Sequence, residues 1–188
     1  MPVPLPTRYP RGTLRAILLF AAAFLFVAPL TPAQQSKDPL TADQEEQVRA
    51  VADQPDERVK LFIKFIENRT DAIRHAVVHP LTQRPGVEIH DNVDAFTSLV
   101  DELQDNLDAY DESHSDIRKS LKFLLERTAK WSAVLQQPPG SSEYDFARKS
   151  ALDAVETTKQ AATELLKSQE EYFSKHKPEK GAKKTPAE

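Results

Sequence analysis

Two pairs of side chains in this sequence have the types and spacing of metal ligands. His75 and His79 are four residues apart, and Asp111 precedes His114 by three residues. On an α-helix either spacing places both side chains on one face, where imidazole and carboxylate groups can bind a transition metal. A di-metal bundle needs a Glu-x-x-His motif from each of two helices and two further glutamates, and this chain offers one Asp-x-x-His. We therefore predict no metal site. If the protein did bind a metal, these four residues would be the candidate ligands.

Other catalytic patterns are missing from the sequence. The chain has no cysteine and four glycines in all, so it lacks a thiol nucleophile and the glycine-rich loops that hold phosphate groups. It contains no Gly-x-Ser-x-Gly motif of hydrolases and no acidic calcium-binding loop. We expect a non-enzymatic protein with no catalytic residues and no cofactor.

The residues around His114 belong to a long apolar pattern that predicts helices. Through residues 89–135, apolar side chains recur alternately four and three positions apart, interrupted by His114 and Thr128. This spacing averages about 3.5 residues, so the side chains form one seam along an α-helix, as in coiled coils and helical bundles. Residues 59–77 repeat the same spacing. The sequence predicts an all-α fold, an elongated antiparallel helical bundle.

The long seam is compatible with one helix or with two. Ser113 and Asp116 have the spacing of a capping box, and a helix break near residues 113–115 would give a four-helix up-down bundle. Against a break, no glycine or proline lies between Val87 and Gln137, and the spacing continues without a slip. We favour one continuous helix, packed with two other long helices and a short N-terminal one.

Caps and prolines divide the rest of the domain into helices. Thr41 and Gln44 form a predicted capping box for the short first helix, and Pro55 starts a second helix that ends near residue 78. Prolines and glycines at residues 79–86 and 138–140 predict loops. The predicted single helical-bundle domain spans residues 41–173.

Residues 174–188 differ sharply from the last helix in composition. Ser142 and Asp145 are predicted to cap that helix, which ends near Phe173. The residues that follow mix lysine with proline and glycine and have no apolar periodicity, so we predict a disordered basic tail that can lie on an anionic surface. The lysines of the tail are Lys175, Lys177, Lys180, Lys183 and Lys184.

Two surface features bear on partners. Residues 85–117 contain ten Asp or Glu and no Lys or Arg, mostly at outer positions of the helix, which predicts a solvated acidic face, with a surface for a basic partner as the alternative. Leu61 and Phe65 lie four apart on the face opposite the second seam, so they need cover from the first helix or from another copy. We expect a protein partner or self-association.

The first 33 residues have the three parts of a secretory signal. Three arginines precede an apolar run over residues 16–28, and small residues follow at Thr31 and Ala33, so we predict cleavage after Ala33. The run is short of the ~20 residues of a membrane-spanning helix, so no transmembrane helix is expected in the mature chain. Losing three arginines takes the formal charge from −4 to −7, which argues against a nucleic-acid binder.

These features together predict an exported protein, periplasmic or secreted. Residues 34–40 would form a disordered tether between the cleavage point and the bundle. The expected function is a structural, scaffold or chaperone-like interaction in the cell envelope or outside the cell. The alternative function is that of a metal-dependent bundle with a site around His114 and Asp111.

Overall fold

The computed structural model describes residues 39–176, which form five α-helices and no β-strand. The predicted all-α fold is confirmed. The predicted signal peptide, most of the predicted tether and the lysines beyond residue 176 lie outside the described residues. The helices are α1 (Ala42–Ala50), α2 (Pro55–Val78), α3 (Pro85–Glu112), α4 (Arg118–Leu135) and α5 (Asp145–Lys175).

The four long helices form a bundle in which α2 and α5 each pack against both α3 and α4. Glu143 lies against Gly86, so α3 and α5 begin at the same end. Asp56 of α2 contacts Ser120 of α4, so these two helices begin at the opposite end. The chain therefore runs up, down, up and down, and it crosses a diagonal of the bundle between α3 and α4.

The bundle has two ends that differ in what they contain. We call the end with residues 113–117 the turn end; it also holds the starts of α2 and α4 and the ends of α3 and α5. We call the opposite end the loop end; it holds the α2–α3 loop (residues 79–84) and the α4–α5 loop (residues 136–144).

The predicted seams form the core of the bundle. Phe96 of α3 and Trp131 of α4 meet edge to face across the centre, with ring centroids 6.0 Å apart. Thr70 and Thr128 are also buried, and each donates its hydroxyl to a carbonyl of its own helix, which satisfies the polar group. The core residues of α3 are Ile89, Val93, Phe96, Leu99, Val100, Leu103 and Leu107, and those of α4 include Leu121, Leu124, Trp131, Val134 and Leu135.

The apolar pair of α2, Leu61 and Phe65, is covered within the bundle and needs no second copy of the chain. Phe65 is buried at 2% exposure, and half-buried Leu61 packs against the core. The physical reason is position: α2 lies between α3 and α4, so it buries a face wider than a single seam.

The prediction of one continuous helix through residues 89–135 is wrong. α3 ends at Glu112 and α4 begins at Arg118. His114 has a left-handed backbone, with φ at 51°, which no helix residue adopts. Ser113 and Asp116 do not form the capping box of the two-helix alternative, because the N-cap residue of α4 is Ile117 and it makes no side-chain cap. The conditional alternative, a four-helix up-down bundle, is confirmed.

Several helix ends also differ from the prediction. α3 begins at Pro85, inside the predicted loop, because proline suits the first position of a helix. Asp145, which accepts from the Ser141 N–H at 3.0 Å, fixes the start of α5 without Ser142. α5 continues to Lys175, which pairs with Glu171 at 2.8 Å, so this lysine belongs to the helix.

The remaining short elements agree with the prediction or extend the domain. The Thr41–Gln44 capping box of α1 is present, with both of its reciprocal hydrogen bonds. Leu40, the last residue of the predicted tether, packs against the core. Over residues 39–176, no helix is long and apolar enough to cross a membrane.

Candidate functional site

The candidate metal pair at His114 lies in the turn between α3 and α4 rather than in the core. The His114 side chain is exposed, and its ring stacks on Tyr172 of α5 at a centroid distance of 4.5 Å. The ring of His176 also stacks on Tyr172, with the ring centroids 4.4 Å apart. Asp111 contacts His114 through its backbone carbonyl, which accepts from the His114 N–H at 3.1 Å. The structure thus gives His114 an aromatic partner.

The other candidate pair is exposed at the end of α2. The rings of His75 and His79 are 5.7 Å apart. Metal sites in proteins need at least three protein ligands in most cases. In the described part of the chain, no three His, Asp or Glu side chains come together in a group that could hold a metal ion. Neither candidate pair therefore has a third metal ligand among the described residues.

Two side chains from distant parts of the sequence cap the start of α4. The Gln169 side chain of α5 accepts from the Ile117 N–H at 3.1 Å and donates to the Ser115 carbonyl at 2.8 Å. Asp56 of α2 accepts from the Ser120 N–H at 3.1 Å and from the Ser120 hydroxyl. These residues supply the partners that the first N–H groups of a helix lack. Sequence analysis missed both, because no local pattern marks them.

Three acids at the turn end, Asp56, Asp116 and Glu170, each pair with a cation. Burial would raise the pKa of Asp56, but hydrogen bonds from Lys60 and Ser120 outweigh it and hold the pKa below its usual value. A bidentate contact with Arg118 lowers the pKa of Asp116 in the same way. A groove of about 390 Å³ between these residues is otherwise lined by Lys119, Lys122 and Glu170. The Lys122–Glu170 pair joins α4 to α5 at this end, and the hydrogen bonds of Asp56 with Ser120 join α2 to α4.

The outer face of α3 carries the acidic stretch that the sequence predicts. Among the ion pairs of residues 39–176, its acids contact only His90, which lies 3.6 Å from Asp91 and 3.4 Å from Asp94. Burial and the charge of Asp105 raise the pKa of Asp101, as expected for neighbouring like charges. The predicted solvated acidic face is therefore present, and we call it the α3 acidic face.

The large apolar side chains that remain strongly exposed in the described residues all lie at the loop end. Val78, the last residue of α2, is 63% exposed, Leu81 in the α2–α3 loop is 81% exposed, and Phe146 in the first turn of α5 is 84% exposed. We call these three residues the apolar tip. Each of these side chains is a candidate for contact with a partner, because a large apolar side chain gains free energy when it leaves water.

The backbone around Leu81 is held in place, so the exposure of its side chain is built into the fold. The N–H groups of Leu81 and Thr82 both donate to the Glu88 carboxylate of α3, at 3.0 and 3.1 Å. Beside this loop lies a groove of about 460 Å³, whose lining includes Arg84 and Val87.

Phe146 is fixed in an outward position by its neighbours. Tyr144 is buried, and its hydroxyl donates to the Pro139 carbonyl. Arg148 donates to the Pro138 carbonyl at 2.6 Å. Ala147 is also buried, so the register of the first turn of α5 leaves Phe146 on the solvent side.

No protein-family model matches the chain, and no curated protein or solved structure is significantly similar to it. The fold and the surfaces described above therefore carry the functional argument.

Proposed function

We propose that this chain is an exported, non-enzymatic helical bundle that acts by binding at its surface. Its role would be structural, scaffold-like or chaperone-like, in the cell envelope or outside the cell. The apolar tip is the observation that carries this proposal, because Leu81 and Phe146 are held in solvent by a well-paired backbone. Such exposure costs stability and is commonly retained for binding.

The arrangement of the titratable groups also favours binding over catalysis. At the turn end, Asp56 and Asp116 have lowered pKa values and are occupied by Lys60, Ser120 and Arg118. General acids and bases in enzymes are instead tuned towards the working pH. The charged groups that the structure places together therefore support a structural role.

Export rests on the sequence pattern of residues 1–33, which lie outside the described residues. The basic, apolar and small-residue segments occur in the order of a secretory signal. The periplasm and the extracellular space are both consistent with this pattern. The lysines after residue 176 add a second candidate contact, with an anionic surface.

Site-specific photo-cross-linking in the native host tests the binding role. A photoreactive residue is introduced at position 81 or 146, with Gln160, an exposed residue further along α5, as the matched control. We expect adducts with protein or lipid at positions 81 and 146 and few at position 160. Equal yields at all three positions would overturn the apolar tip as the binding surface.

Metal analysis tests the alternative function around His114 and Asp111. The mature protein is purified without chelators, and its bound metal is compared with that of a His114→Asn variant. Our proposal predicts substoichiometric metal in both. Near-stoichiometric metal that disappears in the variant would favour the metal-dependent bundle.

A further inference from the structure

The exposed acids of the α3 acidic face line up towards the turn end. Four of them follow one another at spacings of four, three and four residues, and all four are exposed: Asp101, Asp105, Asp108 and Glu112. Side chains at these spacings lie on one side of an α-helix. We call these four residues the acidic stripe. Because like charges at such spacings repel one another, cations placed along the stripe would stabilise it.

The described part of the chain does not supply those cations. None of the four acids takes part in an ion pair between described residues, where the acids of α3 contact only His90. Asp108 instead accepts from the side-chain amide of Gln104 at 3.0 Å. The last turn of α3 has no basic residue, although cations favour the negative end of a helix dipole. The repulsion acts on Asp101, whose pKa is raised by burial and by the charge of Asp105.

The acidic stripe lies on the side of α3 that is next to α5. Burial raises the pKa of the Tyr110 phenol, and the charge of Arg58 on α2 opposes this rise, so Tyr110 lies near α2. Asp108, two residues earlier, is rotated by about 200° around the helix axis and therefore lies on the flank away from α2. The other helix that packs against α3 is α5.

The end of α5 is held beside the end of α3. The ring of Tyr172 stacks on His114, which follows Glu112 by two residues. His176, the last described residue, stacks on Tyr172 as well. The chain that continues beyond His176 therefore starts close to the end of the acidic stripe.

The residues that follow His176 are rich in lysine. Residues 177–184 contain four lysines and one glutamate. Fully extended, they span about 26 Å, whereas the acidic stripe is about 17 Å long. The acids of α5 near this point are occupied, since Glu170 pairs with Lys122 at 3.0 Å and Glu171 pairs with Lys175 at 2.8 Å. The acidic stripe offers these lysines a group of unpaired acids within reach.

We propose that residues 177–184 dock on the acidic stripe of the same chain, with their lysine side chains between the carboxylates of α3. A tethered segment has an effective concentration on the order of millimolar, which favours contact within one chain. Each exposed charge pair is weak and screened by salt, so the docking depends on several pairs together and on low ionic strength. An anionic surface outside the chain would compete with the stripe for these lysines. The docking does not depend on the apolar tip.

Paramagnetic NMR on the full mature chain tests the docking. The sequence has no cysteine, so Ala182→Cys gives a single attachment point for a spin label among the lysines. We expect the label to broaden the amide signals of residues 101–112 more than those of residues 118–126 of α4, which also packs against α5 and begins at the turn end. The difference should vanish when the ionic strength rises from about 0.01 M to about 1 M, because the screening length falls from about 30 Å to about 3 Å. Equal broadening of both segments at low salt would overturn the docking.

A pair of charge variants separates the acidic stripe from acidity in general. Asp105→Asn with Glu112→Gln should reduce the broadening of residues 101–112 to that of residues 118–126. The matched control, Asp153→Asn with Glu164→Gln, removes the same charges from exposed positions on α5 and should behave like the parent. All four side chains are exposed, so the bundle should stay folded in both double variants. Equal losses of broadening in the two would overturn the role of the stripe.

A mixed sample separates docking within one chain from contact between copies. Spin-labelled chains without isotope label are combined with isotope-labelled chains that carry no spin label. We expect no broadening in this sample, and broadening of residues 101–112 would overturn the intramolecular contact and indicate a second copy as the partner. Failure of the docking leaves the surface-binding function standing, because cross-linking at positions 81 and 146 tests that function separately.

Discussion

Single side chains decide where α4 begins. Asp56 and Gln169 occupy the N–H groups of Ser120 and Ile117, although they belong to α2 and α5. A helix start without partners for its N–H groups is unfavourable, so these two contacts stabilise the break after α3. The same contacts join three of the four long helices at the turn end.

We expect Asp56→Ala to lower the free energy of unfolding by about 1–2 kcal/mol at pH 7, because it removes a helix cap. The pKa of Asp56 is lowered in the folded protein, so its contribution is complete above the unfolded pKa and is lost as the pH falls through the folded pKa. The difference between variant and parent should therefore shrink below about pH 4. Denaturant unfolding across pH measures it.

Asp53→Ala provides the matched control for this prediction. Asp53 is an exposed aspartate three residues earlier, and no hydrogen bond or ion pair of its side chain is found in the described residues. Its removal should change stability by less than about 0.5 kcal/mol. Equal costs for the two variants would contradict the capping role of Asp56.

At the scale of elements, the turn between α3 and α4 depends on one unusual backbone conformation. His114 has a positive φ, and its ring is stacked on Tyr172. Asparagine tolerates this conformation, whereas a β-branched residue such as valine does not. Substitutions at this position therefore distinguish a turn from a helix.

We expect His114→Val to be less stable than His114→Asn by about 1–2 kcal/mol, since valine cannot adopt the left-handed backbone without strain. Thermal and denaturant melts of the two variants measure the difference. In a continuous helix the order would be reversed, because valine would fill an apolar seam position. A His114→Val variant at least as stable as His114→Asn would contradict the turn.

On the α3 acidic face, the negative charge of Asp101 opposes folding. The pKa of Asp101 is raised by burial and by Asp105, so its ionised form is less favourable in the folded state than in the unfolded state. This cost is complete above the folded pKa and absent below the unfolded pKa.

We therefore expect Asp101→Asn to raise the melting temperature slightly at pH 7 and to lose this advantage below about pH 4. Calorimetry at the two pH values measures the change. Asp94→Asn is the control on the same face, and it should bring no gain because Asp94 lies 3.4 Å from His90. A melting temperature of Asp101→Asn that is lower than that of the parent at pH 7 would contradict the assignment.

At the scale of the whole molecule, the two ends of the bundle differ in what they contact and what they expose. The turn end joins helices through Asp56, Gln169 and their partners, and Asp56 also pairs with Lys60. The loop end exposes Leu81 and Phe146 on a fixed backbone. The proposed binding would therefore use the loop end, while the contacts at the turn end hold the helices together.

The proposed export implies a defined mature N-terminus. We expect the exported protein to begin at Gln34, because Thr31 and Ala33 provide the small residues that signal cleavage requires. Intact-mass measurement of the protein recovered from the native host checks this. Retention of residues 1–33 on the exported protein would instead indicate an uncleaved anchor.

The sequence alone determined the fold class and most helix boundaries that depend on neighbouring residues. The four-three spacing placed Phe96 and Trp131 in the core, and Thr41 and Pro55 marked two helix starts, because periodicity, caps and prolines act over a few residues. Only the tertiary structure decided that the helix breaks after Glu112.

That break, the caps and the apolar tip depend on residues distant in the chain. Gln169 and Asp56 lie 52 and 64 residues from the N–H groups that they bind, so no local pattern contains them. Leu81 and Phe146 lie at the same end of the bundle because α3 and α5 begin at that end and pack side by side. A sequence specifies the preferences of each segment, whereas the packing of segments against one another determines which preference is realised.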